Sequence, residues 1–177
     1  MRRRHKGELV LAIRPSTRGF AFALFEGPLS PLNWGTRGAS GSQRNARLLE
    51  AFGRLVENLQ PDVLVLEDLS APTARRSGRS RRLQRLIAGY AEGQAIEVRS
   101  YSRTHIRECF AEAGAVTRHE IASAIAARVH ALKTQLPPAR KPWMNEDTRM
   151  HLFDAVSLVM TFYCKDGRSA VDERAAG

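Results

Sequence analysis

The stretch LVLAIRPSTRGFAFALFEG, Leu9 to Gly27, decides how the chain folds. Leu9 to Ile13 is an unbroken apolar run, short and rich in branched residues, which reads as a strand buried on both faces. Phe20 to Phe25 alternates large and small apolar residues, like a neighbouring strand after a tight turn. Ser16 and Thr17 belong to that turn. Arg14 stands between the two runs, at a strand tip, where α/β sheets place their chemistry. A strand this apolar that ends in a guanidinium demands a reason from the rest of the chain.

Working outward, Asn33 to Arg37 reads as a third strand after a turn shaped by Pro28 and Pro31. Leu48, Leu49, Phe52, Leu55, Val56 and Leu59 keep helical spacing, so Ala46 to Leu59 is a helix, stopped by Pro61 and Asp62. Val63 to Leu66 is a second fully apolar strand and ends in Glu67 and Asp68. Ser70 to Arg82 has Pro, Gly and Ser but no apolar periodicity, and reads as an exposed loop. Its arginines Arg75, Arg76, Arg79, Arg81 and Arg82 suit either a solvated linker or an arm for a phosphate backbone. Leu83 to Gln94 follows as a helix, with Gly89 and Gly93 permitting close packing, and Ala95 to Ser100 as a short strand. Thr104 to Ala113 is a short helix, and Thr117 with Glu120 opens another as a capping box. The last helix is Glu146 to Tyr163. The order of elements suits a mixed α/β sheet in a single domain, residues 8–163, between a basic tail (1–7) and a polar tail (164–177).

Lys and Arg total 28 against 18 acidic residues, a formal charge of +10, which favours polyanions. No apolar run approaches a membrane span, and no strongly amphipathic basic helix stands out, so nucleic acid is the better partner than a membrane surface. MRRRHKG leads straight into a strand without a cleavage pattern. Cys109 and Cys164 are too few and too far apart for a disulfide framework or a zinc motif, so Cys109 reads as a core residue and a reducing, cytoplasmic setting is expected. Trp34 and Trp143 read as packing residues.

Asp147, His151 and Asp154 stand at i, i+4 and i+7, on one face of the last helix, with Leu152, Val156 and Val159 on the other. A structural cap or an arginine ion pair explains such a stripe. Glu67 adds a second explanation: a strand carboxylate facing a helix carboxylate and an imidazole can bind Mg2+ or Mn2+, whose role in phosphodiester hydrolysis is to activate water and neutralise the leaving oxygen.

In these motifs and their order, the chain resembles the RuvC-type Holliday junction resolvases of the RNase H-like superfamily, from about Leu9 to Tyr163. AIRPSTRGFAFALFE looks like the family's first hairpin, VLVLEDL like the strand of its second acid (Glu67), and HLFDAVSLVM like its closing motif (His151, Asp154). EVRSYSRTHIRECFAEAGAVTRHEIASAI is similar to the strand and basic helix pair that face DNA, which puts His105, Arg107 and Arg118 among nucleic-acid-contacting candidates. The resemblance implies a mixed sheet flanked by helices, a homodimer, divalent metals and branched DNA. YqgF-type nuclease-like proteins share the fold and stay open as an alternative.

One position departs from the pattern. Arg14 stands where the family has its first metal-bridging aspartate, and arginine neither ligates a cation nor gives up its proton. Three readings follow: a RuvC-like nucleic-acid-binding protein with two-metal hydrolysis impaired or lost; an active metal-dependent endonuclease on Glu67, His151 and Asp154 with Asp147 or Asp68 as a substitute ligand; and a non-enzymatic structural or regulatory subunit. In the first, Arg14 points inward and pairs with Glu67 and Asp154.

Overall fold

Along β1 (Val10–Pro15) successive side chains point to opposite faces, and both faces are buried. Val10 and Ala12 join one apolar cluster; Leu11 and Ile13 join the other, with Leu9. A strand is apolar throughout only when both of its faces are covered. The computed structural model, which describes residues 7–70 and 76–167, places β1 at the centre of a five-stranded sheet. On one side of it run β2 (Gly19–Phe25) and β3 (Pro31–Gly38), each antiparallel to its neighbour. On the other run β4 (Val63–Glu67) and β5 (Glu97–Tyr101), both parallel. The order is β3-β2-β1-β4-β5, a mixed sheet as the element order predicts.

Helices α1 (Arg44–Leu59) and α2 (Gly78–Gly93) cover the face that carries Leu11, Ile13, Phe20 and Phe22. On the opposite face lie α3 (Arg103–Phe110), α4 (Arg118–Arg128) and α5 (Met150–Lys165). The Thr117 capping box forms as expected: Thr117 Oγ1 accepts from Glu120 N at 3.2 Å, and Glu120 Oε2 accepts from Thr117 N at 2.8 Å. Among the described residues, no helix is long and apolar enough to cross a membrane.

Several local expectations need correction. The segment 78–82 is not loop but the first turns of α2, because Ser77 caps it by accepting from Ser80 N at 3.2 Å. A side chain at Gly89 or Gly93 would meet nothing within 4 Å, so neither serves close packing, whereas a Cβ at Gly53 would lie 3.0 Å from the Tyr90 hydroxyl. Trp143 is 78% exposed, with Lys141 over its ring, and is no packing residue. Cys109 and Cys164 are bonded to each other, with Cα atoms 6.1 Å apart. Fifty-five positions separate them in sequence, but α3 and the end of α5 pack side by side. The cysteine count therefore carries no argument for a reducing compartment. The last helix runs to Lys165, past its expected end at Tyr163.

The disulfide closes a long loop, for which the chain-entropy account gives about 4 kcal/mol. At about 2–4 °C per kcal/mol for a chain of this size, Cys109→Ser lowers the melting temperature by about 10 °C. Melts of wild type and variant, each with and without reductant, check this: the two coincide only when reductant is present.

Candidate functional site

The parallel register of β1 and β4 pairs Val10 with Val63 and Ala12 with Val65. Continued along both strands, it sets Arg14 beside Glu67 on the face covered by α5. Each residue is 4% exposed. A buried charge left without a partner costs several kcal/mol, so each strand end needs a counter-charge.

Asp154, on α5, meets Arg14. Arg14 Nε lies 3.1 Å from Asp154 Oδ2, and Nη1 donates to the Pro15 carbonyl. Burial pushes the Arg14 guanidinium down to about 10; Asp154 and Glu67 oppose that shift, while Arg76 and Arg118 add to it. It remains protonated at neutral pH. A second arginine holds the same carboxylate. Arg118, the first residue of α4, donates from Nε to Oδ1 at 2.8 Å and from Nη2 to Oδ2, a bidentate grip. Burial works to raise the Asp154 pKa, but the guanidinium groups of Arg118 and Arg14 outweigh it and hold the carboxyl well below the usual range. The His151 Nδ1 is 3.9 Å from Oδ2, too far for a hydrogen bond, and has no other partner.

Glu67 is paired from the other side. Arg76 donates from Nε to Oε2 at 2.9 Å and from Nη2 to the same oxygen, while Arg103 Nε stands 3.4 Å from Oε1. Gln84 Nε2 donates to the Glu67 carbonyl at 2.7 Å, fixing the strand end to α2. Arg14, Arg76, Arg103, Arg107 and Arg118 line a cavity of about 70 Å3 whose only acids among the described residues are Glu67 and Asp154, a net charge of +3 over that lining. Ile106, Ile121 and Phe153 form its apolar wall.

The residues present do not fit a divalent cation. Both carboxylates already accept from guanidinium groups, and among the described residues no three His, Cys, Asp or Glu side chains gather to hold a metal. Asp147 is not on the helical face expected for it, because α5 begins only at Met150. It accepts instead from Arg149 N, Nε and Nη2 at 2.9, 3.0 and 2.6 Å, and Arg149 draws its pKa down. Glu146 takes up Arg118 from the same segment. Asp68 accepts from Ser70.

The other basic candidates fall in three groups. Arg76 and Arg118 are committed to Glu67 and Asp154. Arg107, exposed at the cavity, and Arg79 and Arg82, exposed on α2, make no ion pair among the described residues. Arg81 Nη1 donates to the Leu69 carbonyl at 3.0 Å, and His105 Nδ1 accepts from Ser102 N at 3.2 Å as part of a capping box. Arg75 lies outside the described residues. Arg103 is the site residue the sequence reading missed; its one signal is its place as the first helical residue after the strand beside β4.

A depressed folded pKa at Asp154 contributes stability that is present above the unfolded value and lost as pH falls through the folded one. Below about pH 4, wild type therefore loses stability more steeply than Asp154→Asn, by up to about 1.4 kcal/mol per pH unit. Denaturant titrations of both proteins at several acidic pH values measure the two slopes; parallel slopes would refute the pairing.

No protein-family model matches the sequence, and no curated protein matches it. Solved structures do match. Thermus thermophilus RuvC superposes with a TM-score of 0.65 at 17% identity, over 90% of this chain and 96% of that one. The same protein in complex with Holliday junction substrate gives 0.63 at 15%, over 90% and 96%. The yeast mitochondrial Holliday junction resolvase Ydc2 gives 0.61 at 14%, over 88% of this chain and 77% of the other. At such identities the likeness speaks for architecture alone: the chain has the RuvC-like, RNase H-like fold, a mixed sheet in the order 3-2-1-4-5 flanked by helices.

Proposed function

We propose that the protein binds nucleic acid, branched or structured DNA above all, through the cationic end of its sheet, and that two-metal phosphodiester hydrolysis is impaired or lost in it. The Arg14–Asp154 pair carries this reading. A guanidinium occupies the strand position from which a metal-bridging carboxylate would act, and it consumes the helix carboxylate that would assist. Its charge also repels a divalent ion: at about 4 Å and an effective dielectric of about 20, the 1+/2+ term is several kcal/mol.

What opposes a cation favours a phosphate. Arginine forks match phosphate oxygens, and a net charge of +10 supplies the long-range attraction. A structure of similar fold was solved with Holliday junction substrate, which supports a junction over a linear duplex as the first ligand to try. A homodimer with two-fold symmetry would present two such cavities to a symmetric junction. The competing reading, an endonuclease using Mg2+ or Mn2+ on Glu67, His151 and Asp154, draws on the unbonded Nδ1 of His151.

The experiment is binding of a labelled four-way junction without metal, beside cleavage with Mg2+ or Mn2+, for wild type, Arg14→Asp and Glu67→Gln. Wild type binds without metal and does not cut; cutting appears only in Arg14→Asp. Metal-dependent cutting by wild type that Glu67→Gln abolishes would establish the competing reading. Arg107→Ala, at an exposed position that makes no ion pair among the described residues, lowers the slope of log K against log salt by about one.

A further inference from the structure

Pro137 is buried, and its carbonyl is bound to His119 Nε2 at 3.1 Å. Further along, Glu146 pairs with Arg118, which lines the Arg14 cavity. Residues 138–146, which lead from the first anchor to the second, are exposed. Within them lies a β-turn, Lys141 to Met144, closed by Met144 N donating to the Lys141 carbonyl at 3.0 Å. Pro142 fixes φ at the second position of the turn, which restricts how the third, Trp143, is presented.

Single exposed apolar residues are ordinary on a protein surface. Trp143 differs from them in three respects. It carries the largest of side chains and is 78% exposed, on a turn already closed, so holding it against a ligand costs little further ordering. Lys141 Nζ stands over one face of the indole, 5.4 Å from the ring centroid, and the exposure of the residue leaves the other face open. Arg140, beside Lys141, is exposed and makes no ion pair among the described residues. The acids that follow, Glu146 and Asp147, are offset by Arg118 and Arg149. The turn is therefore an aromatic plate edged by cations. Trp143 stands three positions before Glu146, at most about 11 Å of extended chain, which keeps the plate beside the cationic cavity.

We infer that Trp143 is a stacking platform for a nucleobase that has left the duplex stack, with Arg140 and Lys141 taking the flanking phosphates. The inference deepens the function proposed above and rests on it. A base brings a flat π face that stacks on indole whatever the sequence, and its phosphates answer the two cations. A second copy of the chain fits less well: one indole offers about 150–250 Å2, against about 800 Å2 per partner in a stable interface. A branch point or a single strand offers such a base, whereas a linear duplex keeps its bases stacked.

The test uses the full chain and three probes: the labelled four-way junction, a labelled linear duplex and an unlabelled single-stranded oligothymidylate. Trp143→Ala alters one exposed side chain, so its melting temperature matches wild type. It binds the junction and the oligothymidylate about tenfold more weakly and the duplex equally well. The slope of log K against log salt stays as in wild type, because stacking releases no counterions. Trp143→Phe recovers most of the loss. Arg140→Ala/Lys141→Ala, by contrast, lowers the slope by up to about two. Trp34 is the other tryptophan, so Trp34→Phe leaves Trp143 as sole reporter, and oligothymidylate quenches its emission. Equal affinities of wild type and Trp143→Ala for the junction and the oligothymidylate, in a protein that does bind the junction, overturn the inference and spare the proposed function. A wild type that binds none of the probes overturns that function and the inference together. An emission shift on vesicles of phosphatidylserine and phosphatidylcholine, or self-association that Trp143→Ala abolishes, with DNA binding indifferent to the substitution, gives the plate to a membrane surface or a second copy and overturns the inference.

Discussion

A guanidinium at the middle of a sheet, 4% exposed, has to be neutralised, and Asp154 does so from 3.1 Å. Much of the architecture around the cavity follows from that pair. Removing either partner would strand a buried charge, typically at about 3–5 kcal/mol. Asp154 holds its position because α5 is packed along the sheet, with Val156 and Val159 fully buried. Arg118 then draws the start of α4 onto the same carboxylate, so three elements meet at one group. With Asp154 taken, Glu67 on the adjacent strand is neutralised from elsewhere, by Arg76 before α2 and Arg103 at the start of α3. An arrangement that could have gathered acids around a cation instead interleaves acids with arginines.

That interleaving gives the cavity its chemical character. Each carboxylate is used internally, and the surplus charge faces outward as Arg107 and the exposed parts of Arg103 and Arg118. Such a surface discriminates by sign before it discriminates by shape. It attracts any polyanion at low salt, and selectivity for a particular nucleic-acid form has to come from where the cationic groups sit along the sheet edge.

The strands and the charged strand ends were legible from sequence because fully apolar runs of branched residues have few other meanings, and Arg14 and Glu67 interrupt them abruptly. The pairing of Arg14 with Asp154 was legible too, once the last helix was placed against the sheet. Asp147 was not. A run of spacing i, i+4, i+7 reads as one helical face only if the helix has begun, and the ion pair with Arg149 keeps that segment outside it. The start of α2 was hidden for a related reason: Gly, Ser and Arg have no apolar periodicity, and only the Ser77 cap reveals a helix there. The Cys109–Cys164 bond joins residues whose proximity is a product of tertiary packing, which spacing alone does not encode. The burial of Arg44, 4% exposed, gave no signal at all, since nothing in the sequence distinguishes a buried arginine from a surface one.

The Ser16 carbonyl, which accepts from Arg44 and from Ser80, has both of its lone pairs in use. It sits two residues beyond Arg14, in a turn closed by Ser16 N donating to the Gly19 carbonyl at 2.8 Å and Gly19 N donating to Ser16 Oγ at 3.1 Å. One peptide unit therefore belongs at once to the end of the central strand and to the beginnings of two helices on the opposite layer. It works as a keystone: it cannot rotate without loosening the helix starts, and the helix starts cannot drift apart without pulling on the strand tip. The strand tip and both helix starts on that face are thereby coupled through one backbone oxygen, beside the Gln84 bond that holds α2 to the end of β4.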